Sequence, residues 1–108
     1  MAQDFTRHAV QATTSDATIF TSNSNDAVIG IRIANITTAA ITVSVIVSVG
    51  GSATRYIVKD LSIPPASSAE LIQGGAKFVM QSSDVLKVIA SASNCAHVYV
   101  SVVDAISA

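Results

Sequence analysis

Nine residues in the middle of the chain constrain the fold more than any other stretch. They run from Ile41 to Val49 and read ITVSVIVSV, with apolar side chains at every second position and, apart from Ile46, Thr or Ser between them. Side chains alternate between the two faces of a β-strand, whereas a helix repeats its apolar positions every three or four residues. The segment therefore predicts a half-buried strand with a polar outer face.

The composition extends this interpretation to the whole chain. Val and Ile together supply 26 of the 108 residues and Thr supplies nine, whereas Leu supplies three. β-Branched side chains fit a pleated sheet and lose rotamer freedom in a helix, and a helical chain of equal apolarity would be rich in Leu, Glu and Lys. We therefore predict an all-β fold.

Turn residues divide the chain into short alternating segments. Gly50-Gly51-Ser52 predicts a tight hairpin turn, and Pro64-Pro65 predicts the end of a strand because neither proline can donate to a ladder. Hairpin connections are also expected at residues 35–39 and 82–83, and a further turn at Gly74-Gly75. The predicted strands span residues 26–35, 41–49, 54–63, 68–73, 77–81, 84–91 and 96–105.

The first 25 residues alternate less clearly than the rest. Residues 1–25 predict either an N-terminal arm that reaches a neighbouring subunit or irregular strands, with Phe5–Gln11 and Thr18–Ser22 as the candidate strands. Residues 26–108 predict the sandwich, and the whole chain is expected to form one domain. About eight short strands with regularly spaced turns predict an antiparallel β-sandwich, of either jelly-roll or immunoglobulin-like topology.

Low charge excludes several classes of protein. Charged residues make up 12% of the chain, against about 25% in a typical soluble domain, and the formal net charge is −1. Such a chain lacks the basic face that non-specific nucleic-acid binding needs. We expect no membrane helix and no signal peptide, because no run of about 18 apolar residues occurs and MAQDFTRHAV has no apolar core. One cysteine, Cys95, allows no intrachain disulfide and suggests a reducing cytoplasm.

Cys95 and His97 are the strongest candidates for a metal site. Residues two apart on a strand face the same side, so both could contact one ion. Zinc takes three or four protein ligands, however, and the one other histidine or cysteine in the sequence is His8. A loop-end thiol and a sheet histidine are therefore favoured, and we predict no metal, no cofactor and no catalytic residue.

The remaining motifs have structural explanations. The acidic residues form no calcium-loop pattern, and several fall at predicted strand ends. Gly74–Lys77 lacks the spacing of a phosphate loop, and the glycosylation sequon Asn35–Thr37 is attributed to chance. The basic residues alternate with acids and predict a solvated or interfacial ion-pair pattern. The acidic residues are Asp4, Asp16, Asp26, Asp60, Glu70, Asp84 and Asp104, and the basic residues of this pattern are Arg32, Arg55, Lys59, Lys77 and Lys87.

The order of segments in the central and C-terminal parts matches a known pattern. It runs through Tyr56–Asp60, Ile63-Pro64, Leu71-Ile72, Gly74-Gly75, Lys77–Met80, Asp84–Val88 and Val98–Val102. This resembles the small β-sandwich virion proteins of tailed bacteriophages, including those of marine and freshwater cyanophages. In that group an extended segment, an IP step, a double-glycine turn and a D-x-L-x-V strand recur in the same order. The resemblance covers residues 27–104 and implies a structural role in the virion.

Sparse charge independently favours a subunit that neighbours cover. Edge strands of a neutral, apolar sheet promote aggregation unless they are paired or covered, so we expect symmetry-related copies to cover them. We expect a non-enzymatic capsid decoration (cement) protein, homo-oligomeric with a trimer favoured. It would bind the major capsid protein or other virion proteins, and reside in the virion after assembly in the host cytoplasm. The alternatives are a neck, tail or baseplate adaptor ring, and a host- or glycan-binding module.

Overall fold

The chain forms two antiparallel sheets. A computed structural model describes residues 4–50, 52–71 and 78–104, and within these residues it contains nine strands and no helix. The predicted all-β sandwich is confirmed. The strands are β1 (Asp4–Ala12), β2 (Ala17–Thr21), β3 (Asp26–Asn35), β4 (Ile41–Val49), β5 (Ala53–Ile63), β6 (Ser68–Glu70), β7 (Phe78–Met80), β8 (Val85–Ala90) and β9 (Ala96–Asp104).

The strand order identifies the topology. Sheet 1 has the order β1-β9-β3-β6, and sheet 2 has the order β2-β8-β4-β5. The short strand β7 also pairs with β3, at Asp26–Val28, while β6 pairs at Arg32–Ala34. Because β9 occupies the other side of β3, β6 and β7 act as two halves of one interrupted edge strand. Two four-stranded antiparallel sheets in this order form a jelly roll rather than an immunoglobulin-like sandwich.

Two of the predicted hairpins are wrong. Residues 36–40 join β3 in sheet 1 to β4 in sheet 2, and residues 81–84 join β7 in sheet 1 to β8 in sheet 2. These connections therefore cross the sandwich instead of turning within one sheet. The hairpin at residues 50–52 is correct, since β4 and β5 are paired neighbours and Gly50 has a φ of 63° that glycine adopts without strain. The Gly74-Gly75 turn lies outside the described residues.

The N-terminal segment belongs to the sandwich. All nine residues of β1 pair with β9, and β2 pairs with β8. Of the two alternatives predicted for residues 1–25, the structure shows strands at residues 4–12 and 17–21. Ala12 at the end of β1 is fully buried and Val10 packs against the core, so β1 contributes to the interior of the sandwich.

The core lies between the inner faces of the two sheets. Alternate residues of β9 (Val98, Val100 and Val102) are each at most 1% exposed and pack with the inner residues of β3, β4 and β8. Strand β4 lies between β5 and β8, and Ser44 and Ser48 on its polar outer face are also buried, so β4 is buried on both faces rather than half-buried. Burial of this apolar surface is the main favourable term in folding.

Two of the register shifts between paired strands show how β-bulges alter the faces that strict alternation predicts. The register of β3 against β9 shifts between Val28 and Gly30, so Ile29 does not share the buried face of Ile31. A similar shift in β5 separates Tyr56, opposite Ile46, from Val58, which packs against the core. A bulge adds one residue and reverses the alternation that follows it.

Asp84 connects two turns at one end of the sandwich. Its Oδ1 accepts a hydrogen bond from the Gly50 backbone N–H (2.9 Å), and its Oδ2 accepts one from the Gln81 N–H (2.9 Å). Asp84→Ala is expected to lower the free energy of unfolding by about 2 kcal/mol, because two bonds to a charged acceptor are lost. Urea denaturation measures this loss. The exposed Asp16→Ala is the control, and an equal effect of both substitutions would contradict the role of Asp84.

Candidate interaction surface

The structure separates the two residues of the candidate metal pair. Cys95 precedes β9 and is fully buried, and its backbone N–H donates to the Ala12 carbonyl oxygen (3.1 Å). His97 on β9 is exposed. His8 stacks on Phe20, with ring centroids 4.3 Å apart and an interplanar angle of 8°. Within the described ranges, no three His, Cys, Asp or Glu side chains come together in a group that could hold a metal ion.

Acidic residues support a turn, a strand end and a bulge inside β5. Asp26 is buried, and its carboxylate accepts hydrogen bonds from the hydroxyls of Ser22 and Ser24 (2.8 Å each). Asp60 has a φ of 53°, and its backbone N–H donates to the Ser44 hydroxyl (2.9 Å). The side chains of Asp4, Glu70 and Asp104 fall outside the described part of the chain.

The sequon asparagine has a structural role. Asn35 is 3% exposed, and its Nδ2 donates to the carbonyl oxygens of Ala39, Ile63 and Pro64 at 2.8–3.1 Å. Its Oδ1 accepts from both the backbone N–H and the hydroxyl of Thr37. A side chain held this way is not accessible to a glycosylating enzyme in the folded protein.

The basic residues of β5 lie on an exposed edge. Arg55 and Lys59 are exposed, and the Lys59 Nζ lies 5.2 Å from the centroid of the Tyr56 ring, which is cation–π distance. Lys77 lies outside the described residues. The ion-pair pattern expected from the alternation of charges stays a prediction.

Four apolar side chains, two exposed and two half-buried, form a row across the outer face of sheet 1. Phe5 on β1 pairs with Val103 on β9, Val103 pairs with Ala27 on β3, and Ala27 pairs with Val79 on β7. Directly paired residues of antiparallel strands present their side chains on the same face. Phe5 is 81% exposed and Val79 is 57% exposed. We call these four residues the apolar row.

The neighbouring positions on this face are more polar. The next paired set consists of Arg7, Ser101 and Gly30, and beyond it Ala9 pairs with Tyr99, which is 48% exposed and pairs in turn with Arg32. The outer face of sheet 1 thus changes from apolar at one end to mixed polar and aromatic at the other. Exposed apolar side chains that adjoin one another, with polar residues beside them, are typical of protein contact sites.

The sequence did not single out the residues of this surface. Phe5, Arg7, Ala9 and Gln11 alternate along β1 and share its outer face. The usual rule would place apolar residues inside, but Phe5 lies on the solvent side and the polar Thr6 and His8 lie on the inner side. Val79 lies between Phe78 and Met80, both of which contact the core, so strict alternation in a three-residue strand would have placed it outside.

Comparison with known proteins shows that this chain shares its fold with a solved structure. No protein-family model matches the chain, and no curated protein is similar to it. Its structure is similar to a solved structure of Bacillus endospore appendages, which are described as a novel family of disulfide-linked pili. The TM-score is 0.60 and the sequence identity is 16%, over 98% of this chain and 88% of the other. Within the described residues, no helix has the length and apolarity to cross a membrane. At this identity the likeness shows a shared sandwich fold.

Proposed function

We propose that this chain is a non-enzymatic structural subunit of a large assembly, and specifically a decoration protein that stabilises the head of a tailed bacteriophage. The apolar row on the outer face of sheet 1 carries this proposal. The resemblance of residues 27–104 to phage virion proteins supports the specific form, as does the jelly-roll topology, which is common among viral capsid proteins.

The apolar row gains free energy when a neighbour covers it. Burying one large apolar side chain contributes roughly 1.5–3 kcal/mol, and Phe5 and Val79 are both largely exposed in the isolated chain. The row spans four strands of sheet 1, so a flat partner surface could contact all of it at once. A subunit docked across the boundary between two capsomers would oppose their separation by this buried area.

A second candidate is a subunit of a pilus-like polymer, which the likeness to the endospore appendage favours. That family is described as disulfide-linked, whereas the one cysteine in this sequence, Cys95, is fully buried. A thiol in this position cannot reach a neighbouring subunit without local unfolding. A polymer of this chain would therefore be held by non-covalent contacts, with the apolar row among them.

Removing the apolar row is expected to abolish docking without unfolding the chain. The double variant Phe5→Ser/Val79→Ser should lose at least about tenfold in affinity for particles that lack the chain, since two exposed anchors contribute little to the monomer but much to the contact. Co-sedimentation with such particles measures the affinity, and circular dichroism checks the fold. The matched control is Tyr56→Ser on β5, a similarly exposed aromatic residue on the other sheet.

The same experiment distinguishes the alternatives. Unchanged attachment of the double variant, or equal loss in the control, would overturn the proposed docking face. An image reconstruction that finds copies throughout the capsid lattice supports head decoration. Copies confined to a ring on the tail axis would replace it with an adaptor role, and self-assembly of the purified chain into filaments would support the polymer.

A further inference from the structure

Three of the four sheet edges are short or irregular, and one is not. Strand β2 has five residues with a register shift at Ile19, and β6 and β7 have three residues each. Strand β5 contains two register shifts and the positive φ of Asp60. Bulges and short edge strands are the devices by which proteins prevent edge-to-edge pairing. Strand β1, by contrast, pairs with β9 over nine consecutive residues without a shift.

The outer edge of β1 is suited to accept another strand. Its sequence, DFTRHAVQA, contains neither lysine nor proline, the residues that most often block an edge. Backbone N–H and C=O groups on the side away from β9 form a regular row of donors and acceptors. Addition of a strand to such an edge is a common mode of recognition, in which main-chain hydrogen bonds supply affinity.

We propose that β1 pairs in antiparallel orientation with β1 of a second copy of this chain, so that sheet 1 continues across two subunits. The proposal deepens the proposed function, because it names the contact by which one structural subunit would join another. In an assembly of many copies, the β1 edge of a neighbouring subunit is a complementary surface that is present at high local concentration.

Symmetry and charge select the register. A two-fold axis perpendicular to the sheet relates the two strands and keeps each outer face on the same side, so a residue must face itself at the centre. Centring on Arg7 would oppose two like charges, which is unfavourable, and centring on Thr6 would pair only Asp4–His8 of the described residues. Centring on His8 pairs all nine residues of β1 and places Arg7 opposite Ala9 of the partner subunit.

This register leaves the proposed docking face intact. Because the two-fold axis keeps both outer faces on one side, the apolar rows of two subunits would face the same surface. They would lie at opposite ends of the joined sheet, since the axis reverses the strand direction. Edge pairing and docking through the apolar row are therefore compatible, and the pairing predicts an even number of subunits rather than the trimer that the sequence interpretation favoured.

Two substitutions of Ala9 test the pairing by charge. Ala9 is exposed, and in the proposed register it faces Arg7 of the partner subunit. Ala9→Lys should raise the dimer dissociation constant about tenfold, because two like-charge pairs form per dimer, whereas Ala9→Glu should lower it. Sedimentation equilibrium measures both, with the wild-type dimer expected at twice the 11.1 kDa mass of the chain. Equal dissociation constants for the two variants would overturn the register.

A cross-linking variant tests the same pairing without depending on charge. The double variant Arg7→Cys/Ala9→Cys should form a disulfide-linked dimer on mild oxidation, since directly opposed residues meet the distance requirement of a disulfide. Each single variant, in which the new thiol faces Arg7 or Ala9, should not. If sedimentation shows a wild-type monomer at about 100 μM and the double variant does not cross-link, the edge pairing is wrong. Particle attachment that still depends on Phe5 and Val79 would then leave the proposed function standing.

Discussion

Replacing Asn35 with alanine is expected to lower the free energy of unfolding by about 3 kcal/mol, because it removes the hydrogen-bond partner of the buried Ile63 carbonyl and of several part-buried backbone groups. The Asn35 amide joins the end of β3 in sheet 1 to the carbonyl of Ile63 at the end of β5 in sheet 2. It also holds its own crossover through Ala39 and Thr37. Chemical denaturation measures the loss of stability.

Asn35→Asp tests the direction of these hydrogen bonds. Aspartate has nearly the same shape, but it replaces the donating Nδ2 with an acceptor oxygen that would face three carbonyl oxygens. We expect at least as large a loss as for alanine. An Asn35→Asp variant as stable as the wild type would show that shape alone matters at this crossover. Ile36→Ala, next to it in the sequence and exposed, is the control for an unspecific effect of the loop.

Strand boundaries could be predicted from the sequence because alternation and turn residues are local signals. The predicted bounds of β3 and β4 agree with the structure, and those of β5, β7, β8 and β9 agree to within one residue at each end. Alternation shows where a strand begins and which residues share a face. It contains no information on which sheet a strand joins, and for this reason the crossovers at residues 36–40 and 81–84 were predicted as hairpins.

Side chains that bond across long sequence distances determine the crossovers. Asn35 contacts Ile63, 28 residues away, and Asp84 contacts Gly50, 34 residues away. Neither contact has a signature within a short window of sequence, so a local pattern cannot reveal it. The bulges at Ile29 and Ile57 were missed for a similar reason, because an extra residue is defined by the partner strand against which it lies.

Strand β1 alternates less clearly than the other long strands because its pattern is inverted. Phe5 faces solvent, while Thr6 and His8 face inward, and His8 is accommodated by stacking on Phe20. A chain that must bury its outer face in an assembly can place an aromatic residue there, at the expense of clear amphipathicity. Phe5, which weakens the alternation of β1, is thus also part of the proposed docking face.

Deleting residues 1–12 is expected to abolish cooperative folding. The deletion removes a nine-residue strand from sheet 1 and exposes Val98, Val100 and Val102 along the free edge of β9. A domain of this kind is stable by about 5–15 kcal/mol, and loss of an entire strand with its core contacts consumes most or all of that. Thermal unfolding followed by circular dichroism, together with light scattering, should show no cooperative transition and extensive aggregation.

The deletion also separates the two interpretations of the N-terminus. An arm could be removed without harm, so a truncated chain with a native melting temperature would mean that β1 is not part of the folded sandwich. Phe5→Ser is the matched control, because it alters a side chain of β1 that is 81% exposed and leaves the backbone pairing with β9 in place. That variant should keep the wild-type melting temperature and still lose docking affinity. Point substitutions on the outer face, rather than truncation, can therefore distinguish a defect in assembly from a defect in folding.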